Sequence, residues 1–230
     1  MSHETYTTAL IVGAGSGLSA SLARLLARQG LKVALAARDT GKLEPLVRET
    51  GAIPFAADAT DPEAVAGLFD AVQERVGDPD IVIYNPSARA RGPLVDLVPA
   101  EVERVLAVTA FGGFLVGQQA ARRMLARGRG AILFTGASAS VKGYARSAPF
   151  AMGKFALRGL AQSMARELAP QGIHVAHFVI DGQIREAGAT DDQDRMLDPD
   201  AIAQSYLAVL QQPRNAWTWE VELRPWVETF

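Results

Sequence analysis

Cysteine is absent from this 230-residue chain, and histidine occurs only three times, as His3, His174 and His177. Disulfides and thiolate metal ligands are thereby excluded, and these histidine spacings show no metal-ligand pattern, so no metal site is expected. The formal charge of −2, from 23 basic and 25 acidic residues, leaves no basic surface for nucleic acid. No apolar run approaches the ~18 residues of a membrane span, and no signal-peptide or lipidation pattern stands out. A cytoplasmic protein without membrane partners is the expectation. Internal repeats, linkers and low-complexity segments are missing as well. Residues 1–230 are therefore expected to form one domain, and 49% hydrophobic residues are ample for its core.

What is present is organised around residues 9–30. Ala9 to Val12 reads as a buried strand, and Gly13, Gly15 and Gly17 then alternate with small residues. Leu18, Leu22, Leu25 and Leu26 recur at helical spacing, with Gly30 as the stop. Strand, glycine turn and helix together make a phosphate-binding device. Glycine lets the backbone approach a pyrophosphate, and the free N–H groups and dipole of the helix start favour negative charge. Gly13, Gly15, Ser16, Gly17 and Leu18 are the candidate cofactor contacts of this turn. The other reading is a glycine turn that joins two core elements and binds nothing. The spacing is not G-x-G-x-x-G, because Leu18 stands three residues beyond Gly15.

Strand patterns follow at 31–37, 53–57, 80–84, 131–135, 173–180 and 217–223. Helical patterns lie between them at 40–50, 62–76, 100–127, 149–168 and 200–210, with Asp61 as N-cap and Pro62 in the first turn of the second. Buried runs alternating with helices predict an α/β chain. Its seven-stranded parallel sheet should be doubly wound, with helices on both faces and any ligand at the carboxyl ends of the strands.

Gly13, Gly17 and Ser19 form G-x-x-x-G-x-(small), which resembles the glycine motif of the short-chain dehydrogenase/reductase family. Val12 replaces the leading Thr of that motif and Ser19 its last Gly. The resemblance extends from Thr8 to about Leu210 and implies a Rossmann-type fold, a nicotinamide dinucleotide and a small carbonyl or alcohol substrate. Ala37 stands where NAD-preferring members carry Asp, and Arg38 follows it. A guanidinium there can pair a 2′-phosphate in bidentate fashion, so NADP(H) is expected over NAD(H). A solvated loop arginine is the alternative. Asp58 matches the family's adenine-contacting position, or is a turn residue. Asn85 keeps one residue of N-N-A-G, while Tyr84, Pro86 and Ser87 depart from it. Pro86 restricts Asn85 to extended geometry. Gly182 keeps the G of the family's P-G, with Asp181 before it.

The family's chemistry implies four roles. A Ser polarises the substrate oxygen, a Tyr exchanges its proton, a Lys holds the nicotinamide ribose, and an Asn fixes a relay water. Lys154 occupies the Lys position of Y-x-x-x-K, but Phe150 replaces the Tyr. Thr109 stands at the Asn position, and Ser138 at the Ser position if one loop residue is missing before Phe150. Phe150 alone would read as a core residue. Beside Lys154, Ser138 and the glycine turn it resembles an altered active site. The incomplete glycine motif, the Phe and the Arg224-Pro225-Trp226 ending are similar to one subgroup of the family. The resemblance implies an NADP(H)-dependent oxidoreductase with an incomplete tetrad; a dinucleotide-binding sensor or partner subunit without turnover is the alternative. Helix 149–168 carries two apolar stripes, Phe150, Leu157, Ala161, Met164 and Leu168 on one and Met152, Phe155, Ala156 and Leu160 on the other. One stripe suffices to cover a sheet, so a homodimer or homotetramer is expected.

Overall fold

The computed structural model describes residues 6–186 and 188–228, so His3 lies outside the described residues. Seven strands pair in parallel: β1 (Thr8–Val12), β2 (Lys32–Ala37), β3 (Ile53–Ala56), β4 (Ile81–Tyr84), β5 (Gly130–Thr135), β6 (Ile173–Ile180) and β7 (Glu220–Leu223). Their spatial order is β3-β2-β1-β4-β5-β6-β7. Among the described residues the α-helices that connect them are α1 (Leu18–Arg28), α2 (Glu44–Thr50), α3 (Pro62–Arg75), α4 (Pro99–Leu106), α5 (Gly112–Arg127), α6 (Ala148–Leu168) and α7 (Pro199–Leu210). The expected doubly wound sheet is thus observed, and its strand order reverses between β1 and β4. A crevice opens there, because the connections leaving those two strands run in opposite directions.

Period-two alternation divides each central strand between two cores. Ile11, Ile83 and Leu133 face α1 and α7, whereas Leu10, Val82 and Ile132 face α3, α5 and α6. These side chains are wholly buried, and each contributes roughly 1.5–3 kcal/mol relative to exposure. α1 forms because Leu18, Leu22, Leu25 and Leu26 make one buried stripe. α3 starts where expected, with the Asp61 carboxylate accepting from Glu63 N at 2.9 Å.

Three element boundaries differ from the sequence pattern. The apolar periodicity over 100–127 is broken by a π turn at Ala107–Phe111. The Tyr84 hydroxyl donates to Val108 O at 2.5 Å, taking one of the carbonyls in this wider turn. Residues 41–43 form a 3-10 turn before α2, with Gly41 N donating to the Asp39 carboxylate at 3.0 Å. The last strand begins at Glu220 instead of 217. Trp217 stacks on the His174 ring at 4.6 Å, and the Thr218 carbonyl accepts from His174 Nε2 at 2.8 Å, so the aromatic run packs beside β6 before pairing with it.

At the amino ends of the strands, Asp80 is 1% exposed and uses both carboxylate oxygens. One accepts from Thr7 N and Thr7 Oγ1, each at 2.9 Å; the other meets Arg127 at 3.1 Å and Arg129 at 3.0 Å. This clamp ties β1, β4, β5 and the end of α5 at the edge opposite the crevice. Asp80→Ala should lower the unfolding free energy by about 3 kcal/mol, the low end for a broken buried pair because both arginines reach solvent. Urea unfolding with an unchanged m-value checks this, and a loss below about 1 kcal/mol would show that the arginines are simply re-solvated.

Candidate functional site

The crevice begins at Gly13. Its φ of +83° turns the chain out of β1, and Gly13 N and Ala14 N both donate to Ala36 O at the end of β2, at 3.0 and 2.9 Å. A Cβ at Gly13 would stand 2.6 Å from Pro86 N, so Gly13 permits contact with the loop after β4. Across the switch point, Asn85 N donates to Val12 O at 3.0 Å. The Asn85 side-chain amide donates to Ser19 Oγ at 2.7 Å, and that hydroxyl donates to Gly13 O at 3.0 Å. Ser19, where the family motif has Gly, therefore locks the turn to α1 and to the β4 loop.

Gly15 and Gly17 behave differently from Gly13. A Cβ on either would meet no protein atom within 4 Å, so they leave room on the outer side of the turn. Gly17 caps α1 without a side-chain hydrogen bond, and the first turn of α1 holds no acidic residue. Its N–H groups and positive dipole end are available to an anion. Ser16 is exposed beside them, and Leu18 is buried as the first core residue of α1. These features fit a dinucleotide pyrophosphate.

A cleft of about 650 Å³ continues from the turn, lined by Gly13, Arg38, Asp58, Asn85 and Val108. Arg38 is exposed at the end of β2 and makes no ion pair among the described residues. The Asp58 carboxylate accepts from Thr60 N at 2.9 Å and Thr60 Oγ1 at 2.8 Å, the turn-residue geometry, while still facing the cleft. The Thr60 bonds, helped by the charge of Arg38, hold Asp58 below the ordinary carboxylate range.

Phe150 and Lys154 share the buried face of α6, as i and i+4 require. Lys154 is 2% exposed, and its Nζ donates to Thr135 O at 2.8 Å. Burial, with the nearby Arg89 charge, lowers its pKa to about 7. The Arg89 guanidinium lies 4.3 Å and Lys154 Nζ 5.9 Å from the centre of the Phe150 ring. Ser138 opens a 3-10 turn after β5 and lines the same cavity as Phe150. Thr109 sits in the π turn, wholly buried, with a hydroxyl that has no partner; a Cβ on Gly153 would stand 2.9 Å from its Cβ. Thr109 thus packs against the residue before Lys154.

Gly182 has φ +147°, and a Cβ there would stand 2.8 Å from Pro225 Cδ. Its neighbour Asp181 is buried and pairs with Arg224 at 3.4 Å and Lys142 at 3.5 Å. Asp181-Gly182 therefore serves as the seat of the Arg224-Pro225 ending. His177, Ser140 and Glu220 also meet, at 3.4 and 3.1 Å from the two ring nitrogens. Burial lowers His177 to about pKa 4 against the pull of Glu220, leaving it neutral at pH 7. Ser140 is wholly buried and accepts from Ala137 N at 3.1 Å, so this series fixes the turn carrying Ser138 and is not an exposed nucleophile. Sequence reasoning missed Arg89, Arg91 and Arg146, which line the cavity beside Phe150. The only signal was the R-A-R run shortly after Asn85.

The model of the short chain dehydrogenase family matches residues 7–188. A short-chain dehydrogenase from Rhodopseudomonas palustris is 36% identical with a TM-score of 0.85, over 97% of this chain and 100% of that one. A metagenomic short-chain oxidoreductase in complex with NADP is 29% identical with a TM-score of 0.85, over 95% of this chain and 97% of that one. The 3-oxoacyl-[acyl-carrier-protein] reductase MabA of Mycobacterium bovis is 30% identical over 205 residues, covering 89% of this chain and 78% of that protein. With the glycine turn at the switch point, the cleft beyond it and Lys154 buried on the Phe150 face of α6, the chain belongs to the short-chain dehydrogenase family and is an NAD(P)-dependent oxidoreductase.

Proposed function

We propose that the protein is a cytoplasmic oxidoreductase that prefers NADP(H) to NAD(H) and acts on a small carbonyl or alcohol with an incomplete tetrad. The carrying observation is Lys154. A buried ammonium with one carbonyl partner is costly for the fold, and such groups persist where chemistry uses them. In this reading Gly13, Gly15, Ser16, Gly17 and Leu18 hold the pyrophosphate, Arg38 the 2′-phosphate, Asp58 and Asn85 the adenosine side, and Gly182 the backbone beside the nicotinamide. Lys154 Nζ holds the nicotinamide ribose hydroxyls. The bound dinucleotide supplies or accepts the hydride. Ser138 Oγ donates to the substrate oxygen and orients it. Phe150 has no proton to give, and Thr109 has a hydroxyl where the family's relay has an amide. Proton exchange then falls to Ser138, Tyr144 or water.

The 2′-phosphate assignment rests on an arginine without an ion pair and on the absence of an acid at Ala37. NADPH should bind at least about tenfold more tightly than NADH, since a charge-assisted hydrogen bond contributes roughly 1.5–3 kcal/mol. Fluorescence titration checks this, and Arg38→Ala should remove the difference. Equal affinities in the wild type would reject the assignment.

Phe150→Tyr should raise reduction of simple ketones by about 10²–10⁴-fold, the usual contribution of a positioned general acid. NADPH affinity should stay within about twofold, because Phe150 contributes packing and no polar contact, while Lys154→Ala weakens the cofactor in either background. Ordinary family rates in the wild type would show that another group already donates the proton. Absence of turnover with any carbonyl, alongside tight NADPH binding, would favour a binding protein.

The second apolar stripe of α6 is left at the surface, with Met152 51% and Phe155 45% exposed, near Phe111 and Phe114 of the neighbouring π turn and α5. This face fits a second copy of the chain in a homodimer or homotetramer. Light scattering at micromolar concentration should give a multiple of 24.5 kDa, and Phe155→Asp should shift the mass toward the monomer.

A further inference from the structure

Beside Phe150 lies a cavity of about 630 Å³, walled by the loop after β4 and the loop before α6. Arg89 and Arg91 come from the first loop, and Tyr144 and Arg146 from the second, with Ser138 and Phe150 completing the wall. Gly92 N donates to Arg146 O at 3.1 Å, so the two loops are tied together. Arg146 holds φ at +61°, a posture that non-glycine residues rarely adopt.

Three guanidinium groups line this space and no carboxylate does. None of the three is ion-paired among the described residues. Elsewhere three half-buried arginines are neutralised by acids, Arg127 and Arg129 on Asp80 and Arg158 on Glu220. Here Arg89, Arg91 and Arg146 are exposed to solvent and share one cavity wall. Burial and the Arg91 charge lower the pKa of Arg89, and Arg89 in turn helps to lower Lys154. Ser147, at the cavity wall, is the N-cap of the 21-residue helix α6, makes no side-chain capping bond, and has no acidic residue in the turn that follows. The helix dipole therefore adds to the same field.

We propose that this cavity is the substrate subsite and that it selects substrates bearing a carboxylate or phosphate. Arg91 and Arg146 grip the anionic oxygens and Arg89, stacked on Phe150, closes the third side. The reacting carbon then lies toward Ser138. The proposal rests on the oxidoreductase reading for the word substrate, while the anion site itself is independent of turnover. Guanidinium groups suit both anions, because each offers two oxygens to a fork of donors.

The test is calorimetric titration of the NADPH-saturated protein with inorganic phosphate and, separately, with succinate. Saturable binding of at least one is expected, and the one that binds identifies the anionic group. The double variant Arg91→Gln, Arg146→Asn should weaken that binding by about tenfold or more, as loss of charge-assisted hydrogen bonds predicts. Asn is chosen at 146 because it tolerates positive φ. NADPH affinity and the thermal midpoint should not move, and Arg91→Lys, which keeps the charge but loses the fork, should weaken binding less than Arg91→Gln. No saturable binding of either probe to the wild type, or equal binding to the double variant, would overturn the proposal. If NADPH itself does not bind, the oxidoreductase reading fails alone. The same titrations on the cofactor-free protein and its double variant still judge the cavity.

Discussion

The Ser19 hydroxyl is the point on which the site depends. It donates to Gly13 O and accepts from the Asn85 amide, so one small side chain joins the glycine turn, α1 and the loop after β4. That junction lies at the strand-order reversal, where the crevice opens. Three segments are held there against the ends of β1 and β2. The backbone bonds of Gly13 and Ala14 to Ala36 O and of Asn85 to Val12 O hold the same turn from its other side.

Departures from the family pattern come with local partners. Tyr84, in place of a smaller polar residue, uses its hydroxyl on Val108 O in the π turn, and Gly112 leaves room for it, since a Cβ there would collide with the Tyr84 hydroxyl. Asp181, in place of a proline, anchors Arg224 and Lys142 and so holds the chain ending over Gly182. Phe150 exchanges a phenol for a ring face, and that face receives the Arg89 guanidinium. A guanidinium over a ring face at an exposed site gains roughly 0.5–1 kcal/mol. Thr109 is the exception, since its hydroxyl is left without a partner in the π turn.

Charge is distributed unevenly along the strand axis. At the amino ends the buried Asp80 carboxylate gathers Arg127 and Arg129 into a closed clamp. At the carboxyl ends, Arg38, Arg89, Arg91 and Arg146 line clefts and cavities with few acids between them, and Lys154 is buried on the Phe150 face of α6, against Thr135 O. The first arrangement satisfies its own charges and stabilises the sheet. The second leaves positive potential where anionic groups of a dinucleotide and its substrate would lie. A net charge of −2 conceals this polarity entirely.

Much of this was open to inspection in the chain alone. Apolar runs alternating with amphipathic segments require a buried parallel sheet, whatever the details, because its strands have two covered faces. Asp61-Pro62 declares a helix start through local hydrogen bonding, and Phe150 with Lys154 share a face through helical periodicity. All of these are short-range rules. The π turn at 107–111, the late start of β7 at Glu220 and the seat of Pro225 on Gly182 were decided by contacts across tens of residues. Arg91 and Arg146 are 55 positions apart, and each alone is an ordinary loop arginine; only the folding of the β4 loop against the α6 loop sets them around one cavity. Local pattern determined the elements and their order along the chain, because it follows from backbone geometry and periodic burial. Tertiary structure decided which charges meet and which stay unpaired, because that depends on distances no stretch of sequence contains.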